Sequence, residues 1–376
     1  MKSKHALLFL TFISLTIFSC KKDLKREPNS LIKKQESAIK YAKGFDIQHF
    51  KNYKKLIIKA PYQNAKETFE YILINPKSDQ NLKTLQIPIK SFVTTSTTHI
   101  PMIELLNIEN RLVGFPNSDF VSSQKTRLLI ENGAIEELGS ENNINTEVLL
   151  NLQPELVIGH SVNSNNKTFS AIEKMGIPVI LNGDWLEETP LGRAEWIKFF
   201  GVLFNKEKQA DSIFKAIEKN YIEAKEIAKK SKLKPTVISG GLYKDVWYLP
   251  AGESFEATFL RDANTHYLWG NSKGKGSLSL NIENVFLKGK NAQVWVSPSF
   301  HTSLKSIQEA NAIYSQFKAF QTKSVYSYMN TKGEKNGILY FELSPTRPDL
   351  VLKDIIKIAH PELLPEYDLT FFKKLN

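Results

Sequence analysis

Four histidines, a group of aromatic residues and three arginines are the side chains here best suited to chemistry. His99 and His160 follow apolar runs in the first half, and His266 and His301 lie in the second. Imidazole nitrogens ligate zinc and manganese, so four of them could converge on a bare metal ion. No His-rich loop accompanies them, and a lone loop histidine more often serves as a hydrogen-bonding group. Trp185, Tyr243, Trp247, Tyr248 and Trp269 fall near expected strand ends or loops. Aromatic faces with a few polar groups grip bulky, flat, partly apolar ligands. Trp185, after Gly183 and Asp184, and Trp247, shortly before Pro250, are expected as walls of such a site. Trp295 between two valines is expected in the core, and Trp196 fits either role. Thr98 lies beside His99. Arg193, Arg261 and Arg347 could pair with anionic groups, Arg347 being the best placed, between Thr346 and Pro348. Catalytic signatures are missing: there is no Gly-x-Ser-x-Gly, no His-Glu-x-x-His and no phosphate loop. Gly274-Lys275-Gly276-Ser277 lacks the first glycine of such a loop. The chain is therefore not expected to be an enzyme, with an extracytoplasmic hydrolase as the enzymatic alternative.

These residues need elements to hold them. In 205–230, Ala210, Ile213, Phe214, Ile217, Tyr221, Ala224 and Ala228 recur at steps of three and four. That spacing predicts a long amphipathic helix, with Asn205 as its cap and Pro235 beyond its end. On either side, strand and helix signals alternate, which implies largely parallel sheets. The expectation is two Rossmann-like α/β lobes, at 86–204 and 231–376, joined by the helix of 205–230 as a single spine, with a ligand cleft between them. Ligands of parallel sheets sit beyond the carboxyl ends of the strands. That points to 95–99, His160, Asp184 with Trp185, 241–243 and 297–301. Segment 21–85 is read as a tether followed by an N-terminal β extension.

The chain has 376 residues, a formal charge of +11, 41% hydrophobic residues and one cysteine. Its lysines are dispersed, and neither zinc-finger spacing nor an aromatic RNA-binding signature occurs, so no nucleic-acid partner is expected. Lys2 and Lys4 precede an apolar run too short for a typical membrane span, which reads as an export signal over 1–20. Ile17-Phe18-Ser19-Cys20 resembles a bacterial lipobox, with Phe18 bulkier than usual. Cys20 has no partner for a disulfide and is the expected lipidation site. The mature chain is expected in the cell envelope, lipid-anchored, facing the periplasm or the exterior.

Four passages resemble one family. Thr98-His99-Ile100-Pro101-Met102-Ile103-Glu104-Leu105-Leu106 is similar to its first strand-to-helix turn. Asn145-Thr146-Glu147, followed by Leu152-Gln153-Pro154-Glu155-Leu156-Val157-Ile158, resembles its "E…LxPDLV" segment, and Ser277 to Val285 is the second-lobe counterpart. Arg347-Pro348-Asp349-Leu350 and His360-Pro361-Glu362 resemble its C-terminal segment. The family is that of lipid-anchored substrate-binding proteins of ATP-binding-cassette importers for cobalamin and iron siderophores, whose lobes are joined by one long helix. The resemblance spans about 87–362. It implies capture of a cobalt or iron chelate and delivery to a permease, by a monomer with no resident cofactor. A bare-metal or haem binding protein of an importer is the alternative. By position, it implies that Glu147 and Glu283 dock on the permease. Read from the residues alone, each is an acid complementing the start of a short helix.

Overall fold

The computed structural model describes residues 39–75, 84–141, 143–164 and 166–376. Cys20, the leader and most of the tether lie outside them. No helix among the described residues is long and apolar enough to cross a membrane.

The first lobe is built on a five-stranded parallel sheet in the order Val179–Leu181, Leu156–Gly159, Phe92–Thr94, Leu112–Phe115 and Glu136–Glu137. Its central strands are apolar on both faces, as a sheet covered on both sides requires. A four-stranded sheet precedes it: Phe45–His49, Tyr53–Ile58, Phe69–Ile74 and Thr84–Gln86. Phe45, Leu56, Ile58 and Leu73 of that sheet join the same buried core as Phe92 and Leu156. The second lobe carries Thr236–Ser239, Val294–Val296 and Val325–Ser327 as the centre of another sheet. His266–Tyr267 borders it on one side, and Lys373–Lys374 closes the other side antiparallel. A small antiparallel sheet of Gly241–Tyr243, Val246–Pro250 and Ser277–Leu280 extends from it.

The long helix spans Glu207–Ala228, about 33 Å at ~1.5 Å per residue. Ala210, Phe214, Ile217, Tyr221, Ala224 and Ala228 form its buried face. Asn205 does not cap it. Asn205 takes a left-handed conformation (φ 55°), and Lys206 stands at the cap position without a side-chain bond. The turn is instead held by the Lys206 N–H donating to the Gly201 carbonyl at 2.7 Å.

The start of the helix is tied to the first lobe: Gln209 Nε2 donates to the Leu105 carbonyl at 2.9 Å. Its far end is tied to the second. Tyr221 Oη donates to Asp262 at 2.9 Å, and Lys225 pairs with the same carboxylate at 2.8 Å. The helices Ile197–Leu203 and Pro348–Ala359, one from each half of the chain, both pack on it.

The lobes also meet directly. The Ser122 N–H donates to Glu342 at 2.6 Å, Lys275 pairs with Glu188, and the Arg193 guanidinium lies 3.6 Å from the Phe255 ring centroid.

The described chain begins with a second tie. Glu195, fully buried, accepts the backbone N–H groups of Lys40, Tyr41 and Ala42 at 2.6–3.0 Å, and also Lys198 Nζ at 2.9 Å. Glu187 accepts those of Lys43 and Gly44 and the Trp196 indole N–H.

Candidate functional site

In the first lobe, Phe92–Thr94 ends in Thr94, whose hydroxyl bonds His99 Nδ1. Ser96 accepts the Thr98 N–H at 3.3 Å, and this turns the chain into Ile100–Leu105 with Pro101 in its first turn. His99 is thereby sealed inside, edge-on to Phe200, and Thr98 stays partly exposed beside it. Burial pulls the His99 pKa down to about 4. His99 is therefore a neutral core group at physiological pH.

The next strand, Leu156–Gly159, delivers His160. Its N–H donates to Thr95 Oγ1 at 2.9 Å. Its ring shares a 2.7 Å hydrogen bond with Glu141 and leans on Trp185, with centroids 5.4 Å apart. Burial lowers the His160 pKa, but Glu141 and Asp184 outweigh it and lift it above the ordinary value. Around this ring the side chains of Glu141, Ser161, Val162, Asn163, Asn166, Lys167 and Thr168 line a cavity of about 350 Å³. Behind it, His99 Nε2, Asn182 Nδ2, both Asp184 oxygens and Trp185 Nε1 are buried without a partner in hydrogen-bonding geometry. Groups of that kind are satisfied by ordered water or by a ligand.

In the second lobe a cavity of about 540 Å³ opens beyond the strand ends at Ser239 and Val296. Tyr243, Tyr248 and Phe300 form its aromatic rim, 57%, 42% and 70% exposed. Ser297 and Ser299 turn the chain with φ of 52° and 53°, a left-handed conformation that costs on the order of 1 kcal/mol or more per residue and is retained mostly at functional sites. Gly240 (φ 77°) has no substitute: a Cβ there would sit 1.8 Å from the Tyr248 carbonyl oxygen. Tyr328 and Glu256 complete the lining. The two cavities are connected through contacts. Trp185, which touches His160, accepts Arg193 Nη2 on its carbonyl at 2.8 Å, and Arg193 covers Phe255, the neighbour of Glu256.

The structure thus gathers His160 with Trp185 on one lobe and Tyr243 with Tyr248 on the other. It corrects four expectations, the first being His99, which is sealed in the core. Trp247 is fully buried, stacked on Trp295 and enclosed by Tyr314 and Phe317, so it is core and not wall. The cause is strand alternation: in Val246–Pro250 the side chain of Trp247 faces inward and that of Tyr248 outward. Trp269 is buried against Tyr267 beneath Lys288. Arg347 is held by its own helix, with Nε and Nη2 each 3.0 Å from Asp349. The four histidines do not converge. His266 pairs with Thr236 at the amino end of the second-lobe sheet, opposite the end at which Ser239 reaches the cavity. Among the described residues, no group of three or more His, Cys, Asp or Glu side chains is placed to hold a metal ion. Sequence reasoning missed Glu141, Glu256 and Tyr328, and pointed to Phe300 only as part of 297–301.

Residues 93–331 match the family described as periplasmic binding protein. The chain belongs to that family. An uncharacterised lipoprotein of Methanocaldococcus jannaschii is similar to this periplasmic binding protein, 26% identical over 367 residues that cover 90% of this chain and 85% of the relative. Among solved structures, a possible iron-binding periplasmic solute-binding protein from Staphylococcus epidermidis superposes with a TM-score of 0.58. It is 16% identical and covers 73% of this chain and 99% of its own. The periplasmic heme-binding protein RhuT from Roseiflexus, in apo form, gives the same score, identity and coverage. At such identities these two likenesses establish the fold.

Glu147 and Glu283, expected as docking acids from the sequence resemblance, occupy similar local settings. Each lies in the first turn of a short helix, Thr146–Leu152 and Ile282–Gly289, behind an asparagine cap, Asn145 or Asn281. Both carboxylates are exposed, and each is followed one turn later by an exposed leucine, Leu150 (45%) and Leu287 (73%).

Proposed function

We propose that this periplasmic binding protein is the lipid-anchored, extracytoplasmic substrate-binding component of an ATP-driven importer, that it captures a metal chelate, and that it delivers the chelate to the permease. The observation that carries the reading is a cavity at the strand carboxyl ends of each lobe, one lined by His160, on which Trp185 leans, and the other by Tyr243, Tyr248 and Phe300. Exposed aromatic faces converging on a cavity of several hundred Å³ suit a bulky, partly apolar ligand. The names of structural neighbours that bind iron or heme support the same class of cargo. Glu147 and Glu283, one on each lobe, serve as the docking acids, and Cys20 carries the anchor. Among the described residues, no hydrogen bond in either cavity joins a hydroxyl to a base, which favours binding over turnover.

The test is a fluorescence titration of residues 21–376 with cobalamin, ferric hydroxamate and catecholate chelates, haem and zinc. Trp185 is the one tryptophan of five that is not buried, so quenching reports on the site. Saturable quenching by a chelate, abolished in Trp185→Phe while binding persists by size exclusion, is the expected result. A response to zinc alone sinks the chelate reading.

A further inference from the structure

We infer that Glu256 selects for a chelate that carries a protonated amine, so that the cargo class is cationic metal chelates and not anionic ones. This rests on the chelate-binding reading above and narrows it. The second-lobe cavity is lined by Ser, Gly, Tyr, Leu, Pro and Phe, and Glu256 is the only formally charged side chain among its described lining residues. Lys244 lies 5.7 Å from the Tyr243 ring centroid but does not line the cavity. Glu256 also borders a recess of about 20 Å³ behind the cavity, with Phe259, Val296, Tyr340 and Ile355, a space too small and too apolar for the body of a chelate.

The carboxylate stands between these two spaces. Among the described residues no hydrogen bond or ion pair closes on it. Arg193 acts on it only through its field, since that guanidinium is engaged by the Trp185 carbonyl and the Phe255 ring.

A carboxylate partly screened from water in a cavity wall, with no protein partner, gains from a partner that arrives with the ligand. An ammonium group supplies both charge and donors for such a bond. The exposed faces of Tyr243 and Tyr248 add cation–π attraction on the way in. A carboxylate or phenolate arm in the same place would meet like charge.

The probes are ferrioxamine B, whose free amine is protonated at neutral pH, its N-acetyl derivative, which is neutral there, and its N-succinyl derivative, which is anionic. The wild type is expected to bind them in that order, the first at least about tenfold tighter than the second. Glu256→Gln should flatten the series, with the affinity ratio between the free-amine and N-acetyl forms falling toward one. The wild-type comparison does not depend on how the variant folds. Equal affinity for the three forms, or a preference for the anionic one, overturns the inference. If haem or a catecholate chelate binds while the ferrioxamines do not, the charge assignment falls and the chelate-binding reading stands. Silence across every chelate removes both.

Discussion

Two buried titratable side chains set opposite pH slopes. His99 has its pKa lowered by burial to about 4, below the usual value, so it is neutral in the folded chain while the unfolded chain takes up a proton. Its contribution is intact above pH 6.5 and is lost as pH falls toward 4, by on the order of 3 kcal/mol. Glu342, buried at the contact between lobes, has its pKa raised to about 7, by burial first and then by Glu104. Its contribution is present below about 4.5 and is lost as pH rises through 7. Urea midpoints for His99→Gln should therefore fall less than wild type between pH 6.5 and 4. Glu342→Gln keeps an acceptor for the Ser122 N–H and removes the falling contribution, so its midpoint should gain on that of the wild type as pH rises from 5 to 8. Neither behaviour was legible beforehand. His99 reads as a ligand candidate because it follows a strand, but a residue after a strand can also turn under the next helix. Glu256 gave no signal either, since an acid in the first turn of a helix is ordinary dipole complementation. Trp185 was legible because a glycine and an aspartate before it break the regular pattern and leave it at a strand end.

At the level of elements, period was the reliable signal. The stripe from Ala210 to Ala228 identified the long helix because an apolar face at steps of three and four has no other compact use. Its start was not fixed by Asn205, because asparagine tolerates the left-handed conformation as readily as the cap position. Short strands that alternate, such as Val246–Pro250, show a period of two without saying which face is inside, and that is why the sequence favours Trp247 as a wall where the structure exposes Tyr248.

Gly201 explains how closely the spine approaches its neighbour: a Cβ there would lie 2.7 Å from that of Ala210. Gly201→Val should lower stability by about 1–3 kcal/mol through overpacking, readable as a drop in melting temperature. Glu195 is the more sensitive point. Glu195→Ala strands three part-buried backbone donors and Lys198 Nζ, and should cost about 2–3 kcal/mol. Hydrogen exchange at Lys40, Tyr41 and Ala42 should accelerate well beyond the rest of the lobe. Unchanged exchange there would show that the carboxylate does not hold this segment.

For the whole molecule, the spine is one link among several. The helix Pro348–Ala359 packs on it and on Pro190–Glu195 of the first lobe, and the Ser122–Glu342 and Lys275–Glu188 contacts bridge the lobes. Ligand binding should therefore close the lobes by a small angle, and scattering curves with and without ligand should give nearly equal radii of gyration. A large compaction would contradict this. Changing Glu147 and Glu283 together to alanine should spare chelate affinity and abolish uptake, because both side chains are exposed and neither lines a cavity. Uptake that survives the double change would remove the docking assignment.

The strand orders of the two lobes carry a consequence for how the chain matures. The first-lobe sheet draws on residues 92–181 alone, whereas the second needs strands from 236 to 374, the last of them Lys373–Lys374 at its edge. A chain passed amino end first through a membrane pore can complete one sheet while half its length is still inside. The other must wait until Phe371, Phe372 and Leu375 have emerged to fill its core. Between those moments the exposed apolar faces belong to the second lobe, and a chain halted there should be protease-resistant up to about residue 204 and cleaved beyond it.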